Sequence, residues 1–279
     1  MAVRIVTDSS SDLTAEAAAA LGVEVVPLSI RFCDEELVDG VELSADEFYR
    51  RMASASDLPE TAAPSPGAFE AAFRRCLDAV ADAVICINLS AQLSATMQSA
   101  QTAAKAFEGT ADVRVIDSRS VTSGLGSVVA WAAQRGAEGA SADDIVAGVE
   151  DLIGRQRIWA ALDTIDNLKK GGRIGGAKAL MATLLSIKPA ISVHDGVVEE
   201  AGKPRTRKKS LQWLADKVLA EAAVENLHVM HGHAPDIDEM LDLLAPKYAR
   251  DDIAVGVIGP VIGAHGGPRV VGVTYHVAR

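Results

Sequence analysis

Basic charge, aromatic side chains and cysteine are all scarce in this chain, and each shortage closes off a class of function. Lysine and arginine number 27 against 38 aspartates and glutamates, a net charge of −11. Nucleic acid or an anionic membrane as the main partner would need a basic face, so no nucleic-acid partner is expected. Local basic clusters still suit a phosphate or an acidic protein patch, and transient membrane contact stays open. The three cysteines, Cys33, Cys76 and Cys86, are odd in number and widely spaced, which gives neither a disulfide framework nor zinc spacing. No apolar run approaches the roughly 18 residues of a membrane span. The N-terminus opens a strand pattern holding Arg4 and Asp8 rather than a signal peptide, so cytoplasmic residence is the default expectation. Aromatics make up 4% of the residues. A ligand cavity would therefore be walled by Leu, Ile, Val, Ala and Met, which suits an alkyl chain better than a planar ring.

What is present is a long alternation of strand and helix. Val3–Thr7, Ala83–Asn88 and Val113–Asp117 are strand-like, and Val23–Ile30 is a further β-branched run. Helical patterns lie between and after them: Thr14–Leu21 stopping at Gly22, a capping box at Ser44-Ala-Asp-Glu47, Pro66 to about Val80, Leu93–Phe107, Ser123–Arg135 and Ser141–Gln156. Such alternation argues for a parallel sheet covered on both faces. From Arg157 the pattern changes. Asp195-Gly196 between two apolar runs is a two-residue hairpin signal, which belongs to antiparallel or mixed sheet. Helices are expected over Thr164–Lys170, Ala177–Ile187, Arg207–Ala222 and Pro235–Leu244, and strands over Leu227–His231, Ile253–Ile258 and Val270–His276. The expected fold is α/β in two domains: residues 1–156, an N-terminal parallel-sheet domain, and 157–279, a C-terminal mixed-sheet domain.

Three polar loops stand out. Val257 to Gly272 holds His265 in a run of Gly and Pro between apolar segments, so the histidine is expected at a strand end, on rigid backbone, with a near-neutral pKa. Thr61-Ala-Ala-Pro-Ser65-Pro-Gly precedes a helix, where Ser65 is a natural cap and Thr61 has no such duty. Ser90 to Ser99 follows an apolar strand and carries Ser94. In open α/β sheets, ligands bind at loops beyond the carboxyl ends of strands, and helix N-termini favour anions. Two hydroxyls and one or two amides there suit a carboxylate.

Other motifs carry less. Gly171-Gly-Arg173-Ile-Gly-Gly176 lacks the Gly-Lys-Ser/Thr of a P-loop and no strand directly precedes it. Asp8-Ser-Ser-Ser-Asp12 reads as a turn and helix cap. His228 and His231 on a strand point to opposite faces, so a metal shared with His233 is not expected.

Taken in order, Arg4-Ile-Val-Thr-Asp8-Ser-Ser-Ser-Asp12-Leu, the Thr61 and Ser94 loops, Lys169-Lys-Gly-Gly-Arg173-Ile, Lys203-Pro-Arg205-Thr-Arg-Lys-Lys209 and the His265 loop resemble the DegV family, over about residues 3–275. The resemblance implies a bacterial fatty-acid-binding protein, a carrier without a cofactor of its own that presents its ligand to a separate fatty-acid kinase subunit. It also implies that Thr61 and Ser94 contact the fatty-acid carboxylate, with His265 beside the head group and the backbone of Ala95 approaching it. Arg173 and Arg205 become surface residues aimed at the kinase. The chain departs from the family pattern at Ala62-Ala63, where Ser-Gln is usual, at Ala95 for Gly, and at Arg269 for Gly. A bidentate arginine would hold a carboxylate more strongly than hydroxyls. It would also withdraw charge from oxygens that must later attack phosphorus, so neutral donors fit a carrier. Tail burial at about 0.8 kcal/mol per methylene gives a chain of roughly fifteen methylenes on the order of 12 kcal/mol before ordering costs. The alternative is a stand-alone hydrolase or phosphotransferase using Ser94 and His265, with Asp8 as orienting acid. No Gly-x-Ser-x-Gly elbow surrounds Ser94.

Overall fold

The computed structural model describes residues 2–55, 57–79, 81–178 and 187–279. The chain begins with β1 (Val3–Asp8) and α1 (Ala15–Leu21), the latter capped by the Thr14 hydroxyl and stopped by Gly22 at φ 64°. It continues through β2 (Glu24–Val26), β3 (Ser29–Phe32), β4 (Glu35–Val38), α2 (Ala45–Ser54) and β5 (Glu60–Ala62). Then come α3 (Pro66–Asp78), β6 (Ala83–Asn88), α4 (Thr96–Ala104), β7 (Asp112–Asp117), α5 (Thr122–Ala137) and α6 (Ala142–Arg155).

Strands β2-β1-β6-β7 form a parallel sheet in that order. Every residue of β6 is buried, as a central parallel strand requires. Alternate side chains divide the core. Ile5, Ile85 and Ile87 meet Leu125, Val129 and Ile145 of α5 and α6 on one face. Val6, Val84 and Cys86 meet Phe69, Phe73 and Ala100 of α3 and α4 on the other. Each fully buried side chain of this size contributes about 1.5–3 kcal/mol.

The second half supplies β8 (Gln156–Ala161), α7 (Asp166–Lys170), β9 (Ala190–His194), β10 (Val197–Gly202), α8 (Arg207–Leu219), β11 (Val224–His231), α9 (Ile237–Leu244), β12 (Ala254–Val257), α10 (Pro260–Gly266) and β13 (Val271–Val277). Its six strands run β10-β9-β8-β13-β11-β12, antiparallel except for the β11–β12 pair. The turn at Asp195 (φ 45°) and Gly196 (φ 77°) has positive φ at both positions, the type I′ geometry its sequence signals. Helices α8 and α9 cover one face of this sheet, Leu211, Leu214, Met240 and Leu244 packing with Val229 and Tyr275 of the strands. The opposite face, carrying Ile158, Ala160, Met230, Gly272 and Thr274, looks toward the N-terminal half.

An α/β chain with a parallel four-stranded sheet and a mixed six-stranded sheet is what the pattern implied. Two features differ from it. The Val23–Ile30 run divides at Pro27, which has no N–H for a ladder, into β2 of the parallel sheet and β3 of a separate antiparallel sheet ordered β4-β3-β5. The stretch around His265 is not a turn between strands but helix α10, opened by Pro260 at its first position. The small sheet, α2 and α10 share one apolar cluster containing Leu28, Ile30, Phe48 and Val261, which ties the two halves together. The helix expected over Ala177–Ile187 falls mostly on residues 179–186, outside the described residues.

Candidate functional site

The uncovered face of the six-stranded sheet is the floor of a cavity of about 890 Å³, its open mouth included. Pairing register places Met230, Gly272, Ala160 and Ile191 side by side across four strands. Two small residues in the middle of that row hollow the sheet surface into a trough. Leu28, Leu89, Leu93 and Val121 from the N-terminal half form the roof, and Ile258, Val261 and Ile262 close one side. Most of these residues are buried.

Four half-buried polar residues gather among the lining: Thr61, Ser94, Arg173 and His265. They come from four separate segments. Thr61 lies in β5, opposite Ile30 of β3, rather than in a loop. Its Oγ1 is 3.0 Å from His265 Nε2. His265 occupies the last turn of α10, held by Asn167 Nδ2, which donates to the Ala264 carbonyl at 3.1 Å. Among the described residues its Nδ1 has no partner, and the ring lies against Gly171, where a Cβ would come within 2.4 Å of Nδ1. Burial, with the nearby Arg173 charge, pushes the imidazole down to about 4, so the near-neutral value expected from sequence is corrected. The ring is neutral at physiological pH.

Ser94 Oγ lies 2.9 Å from Thr96 Oγ1 and accepts the Thr96 N–H at the start of α4, so part of its capacity is local capping. Ala95 is exposed at the N-cap position and is not among the cavity's lining residues. Arg173 departs from the expected surface position. It is half-buried, its Nε donating to the Leu93 carbonyl at 3.1 Å and its Nη1 to the Gly171 carbonyl at 2.7 Å. Among the described residues no carboxylate forms an ion pair with it. A guanidinium with no counter-charge among the described residues thus stands at the polar end of a mainly apolar cavity, where neutral donors alone were expected. Arg205 is exposed in the turn before α8 and Arg269 is exposed after α10; neither lines the cavity. The sequence also gave no notice of the supports of α10: Asp12, Tyr49 and Asn167.

A hydrolytic triad is not assembled. Asp8 is fully buried and accepts from Ser10, Asn88 Nδ2 and Leu89 N–H, tying the ends of β1 and β6 together, and it has no bond to His265. Ser94 pairs with Thr96 rather than with the imidazole. Among the described residues no cluster of His, Cys, Asp and Glu is placed to hold a metal, and no helix is long and apolar enough to cross a membrane.

A family profile described as "Uncharacterised protein, DegV family" matches residues 2–277. A DegV domain-containing protein of Deinococcus radiodurans is 38% identical over 279 residues, covering 98% of each chain. A fatty-acid-binding DegV family protein from Thermus thermophilus superposes over 100% of both chains with a TM-score of 0.91 and 31% identity. A stearic-acid-binding protein from Eubacterium ventriosum superposes over 98% of both with a TM-score of 0.85 and 27% identity.

Proposed function

Because this chain belongs to the DegV family, we propose that it binds a long-chain fatty acid, laying the acyl tail along the trough of the six-stranded sheet and holding the carboxylate at Thr61, Ser94, His265 and Arg173. The observation that carries this reading is an open-mouthed aliphatic cavity whose polar end holds two hydroxyls and a cation with no ion-pair partner among the described residues. In this arrangement residues 1–156 supply the roof and two hydroxyls, and residues 157–279 supply the floor, Arg173 and His265.

The head-group chemistry follows from the neutral imidazole. With the proton on Nε2, His265 donates to Thr61 Oγ1, and the Thr61 hydroxyl is then free to donate to a carboxylate oxygen. Ser94 provides a second hydroxyl. Arg173 supplies the charge that compensates the carboxylate when water is stripped from it. Its Nε and Nη1 stay committed to backbone carbonyls, which limits how far the guanidinium draws density from the carboxylate. The oxygens remain nucleophilic, and one of them attacks the γ-phosphorus of a nucleoside triphosphate held by a partner kinase, releasing the diphosphate and leaving an acyl-phosphate. Arg205 and the exposed edge of Arg173 meet that kinase, whose acidic or phosphate-bearing surface they complement on an otherwise acidic protein.

The test is lipid extraction of the purified chain followed by mass spectrometry. A fatty acid of about sixteen to eighteen carbons at near-stoichiometric amount is expected. Absence of any bound acid, even after loading with a range of chain lengths, overturns the reading.

A further inference from the structure

We propose that Asp12, which lies outside the cavity lining, is a positioning residue for the head-group cluster and acts through α10. This inference rests on the fatty-acid reading above.

Helix α10 spans only seven residues, too few to be stable alone. Its N-cap is Gly259, which has no side chain with which to cap. The cap comes from 247 residues away: Asp12 Oδ1 accepts the Gly259 N–H at 3.1 Å. The fit excludes a side chain at that point, because a Cβ on Gly259 would lie 2.6 Å from Asp12 Oδ1. One residue earlier, the Ile258 carbonyl accepts the Tyr49 hydroxyl at 3.0 Å. The start of α10 thus hangs from two distant contacts, and its last turn carries His265 against Thr61.

Asp12 is fixed in turn. Its Oδ2 accepts the Thr122 hydroxyl at the start of α5. Asp12 and Thr122 both sit in the left-handed region, at φ 54° and 50°, an uncommon conformation for aspartate and more so for a β-branched threonine. Thr122 lines the cavity. One carboxyl therefore joins the cavity wall, the first turn after β1 and the helix that aims His265. Losing this cap leaves β5 and Thr61 in place but loosens the start of α10, the helix that carries His265 to Thr61.

The experiment measures binding of hexadecanoate and of its methyl ester to delipidated wild-type chain, D12A, D12N, G259A, H265A and the D12A/H265A double variant. D12A is expected to weaken the acid at least tenfold and the ester less than twofold. G259A, which presses on the same contact while keeping the carboxyl group, should copy it. In D12N, Oδ1 still accepts from Gly259 and the amide still reaches Thr122, so affinity should return to within about threefold of wild type. In the H265A background D12A should add little further loss. The His265 ring nitrogen signals in NMR should move in D12A and G259A and stay in D12N. Equal loss for acid and ester, full additivity with H265A, or D12N as weak as D12A overturns the role of Asp12. If D12A does not fold, G259A and D12N decide. Wild-type chain that binds neither ligand overturns the fatty-acid reading instead; wild-type binding with an unaffected D12A and G259A overturns only this inference.

Discussion

Gly272 is the position where stability and ligand binding should part company. It lies inside β13, between Met230 of β11 and Ala160 of β8, in the floor of the trough. A Cβ built there meets only the Trp159 carbonyl at 3.4 Å and the Ala160 Cβ at 3.9 Å, both ordinary contacts, and otherwise faces the cavity. Glycine inside a strand is unfavourable, and valine in the same place gains up to about 1 kcal/mol of strand preference. Gly272→Val should therefore stabilise the ligand-free chain. The same three carbons take the place of tail. If they displace about three methylenes at ~0.8 kcal/mol each, the loss is roughly 2.4 kcal/mol, or about fiftyfold in Kd. Calorimetric titration of delipidated protein with acids of increasing length reads this directly. The loss should be absent for acids too short to reach the Met230–Gly272–Ala160 row and constant for those that pass it. The melting temperature without ligand should rise. Unchanged affinity for an acid of about eighteen carbons would show that the tail does not lie on this face of the sheet. A loss equal at every chain length would point to a disturbed fold instead.

Three further outcomes follow from the same geometry. Thr61→Ala and Ser94→Ala each remove a hydroxyl donor to a charged group, and each should weaken the acid by about 1.5–3 kcal/mol with little effect on its methyl ester, measured by displacement of a fluorescent fatty acid. Burial raises the Asp12 carboxyl to about 8, with Asp39 and Asp8 adding repulsion. Because this folded-state value lies above the unfolded one, the native chain keeps a proton that the unfolded chain has released; the stabilisation is complete below about pH 4 and is lost as pH rises through about 8. Denaturation between pH 6 and 8 should show a decline of up to about 1.4 kcal/mol per pH unit that Asp12→Asn removes, and a slope unchanged by the substitution would refute the assignment. On the proposed carrier reading, Arg205→Ala should leave bound lipid intact and slow acyl-phosphate formation by the proposed partner kinase, whereas Arg173→Ala should also lower fatty-acid content; lipid analysis paired with a kinase assay separates the two.

Regular elements with strong local pattern were legible in the sequence. The four helices capped by Thr14, Ser44, Ser65 and Ser141 begin where those residues place them, because each cap is decided within four residues of chain. The hairpin at Asp195-Gly196 is local in the same sense. The small sheet was not legible, because β5 has only three residues and is defined by its partner Ile30, thirty-one positions earlier in the chain than Thr61. Helix α10 was hidden by its glycines, which read as turn formers. Gly263 is there for a different reason: a Cβ would lie 2.6 Å from the Tyr49 hydroxyl. A glycine required by a neighbour's side chain and one required by positive φ look identical in a sequence.

The same ambiguity explains the site. Thr61, Ser94 and His265, read from the sequence as head-group residues by their polar loops and by resemblance, all line the cavity. Their mutual arrangement depends on Gly171, in a segment that reads as a flexible connector. Its missing side chain leaves room for the imidazole, and its carbonyl anchors Arg173 Nη1. One residue therefore seats both the neutral ring and the cation that helps keep it neutral. Arg173 had looked like a surface charge because the resemblance aimed it at a partner and its loop carries no core pattern; the carboxylates within ten residues of it, Asp163 and Asp166, are engaged with Lys188 and Thr164. In space the arginine lies half-buried at the end of an aliphatic cavity, with two of its donors on carbonyls and no ion-pair partner among the described residues, which is the placement the proposed carboxylate ligand would need. Substituting Gly171 by alanine should therefore damage acid binding more than any change to Arg269, which is equally basic in character but lies outside the cavity.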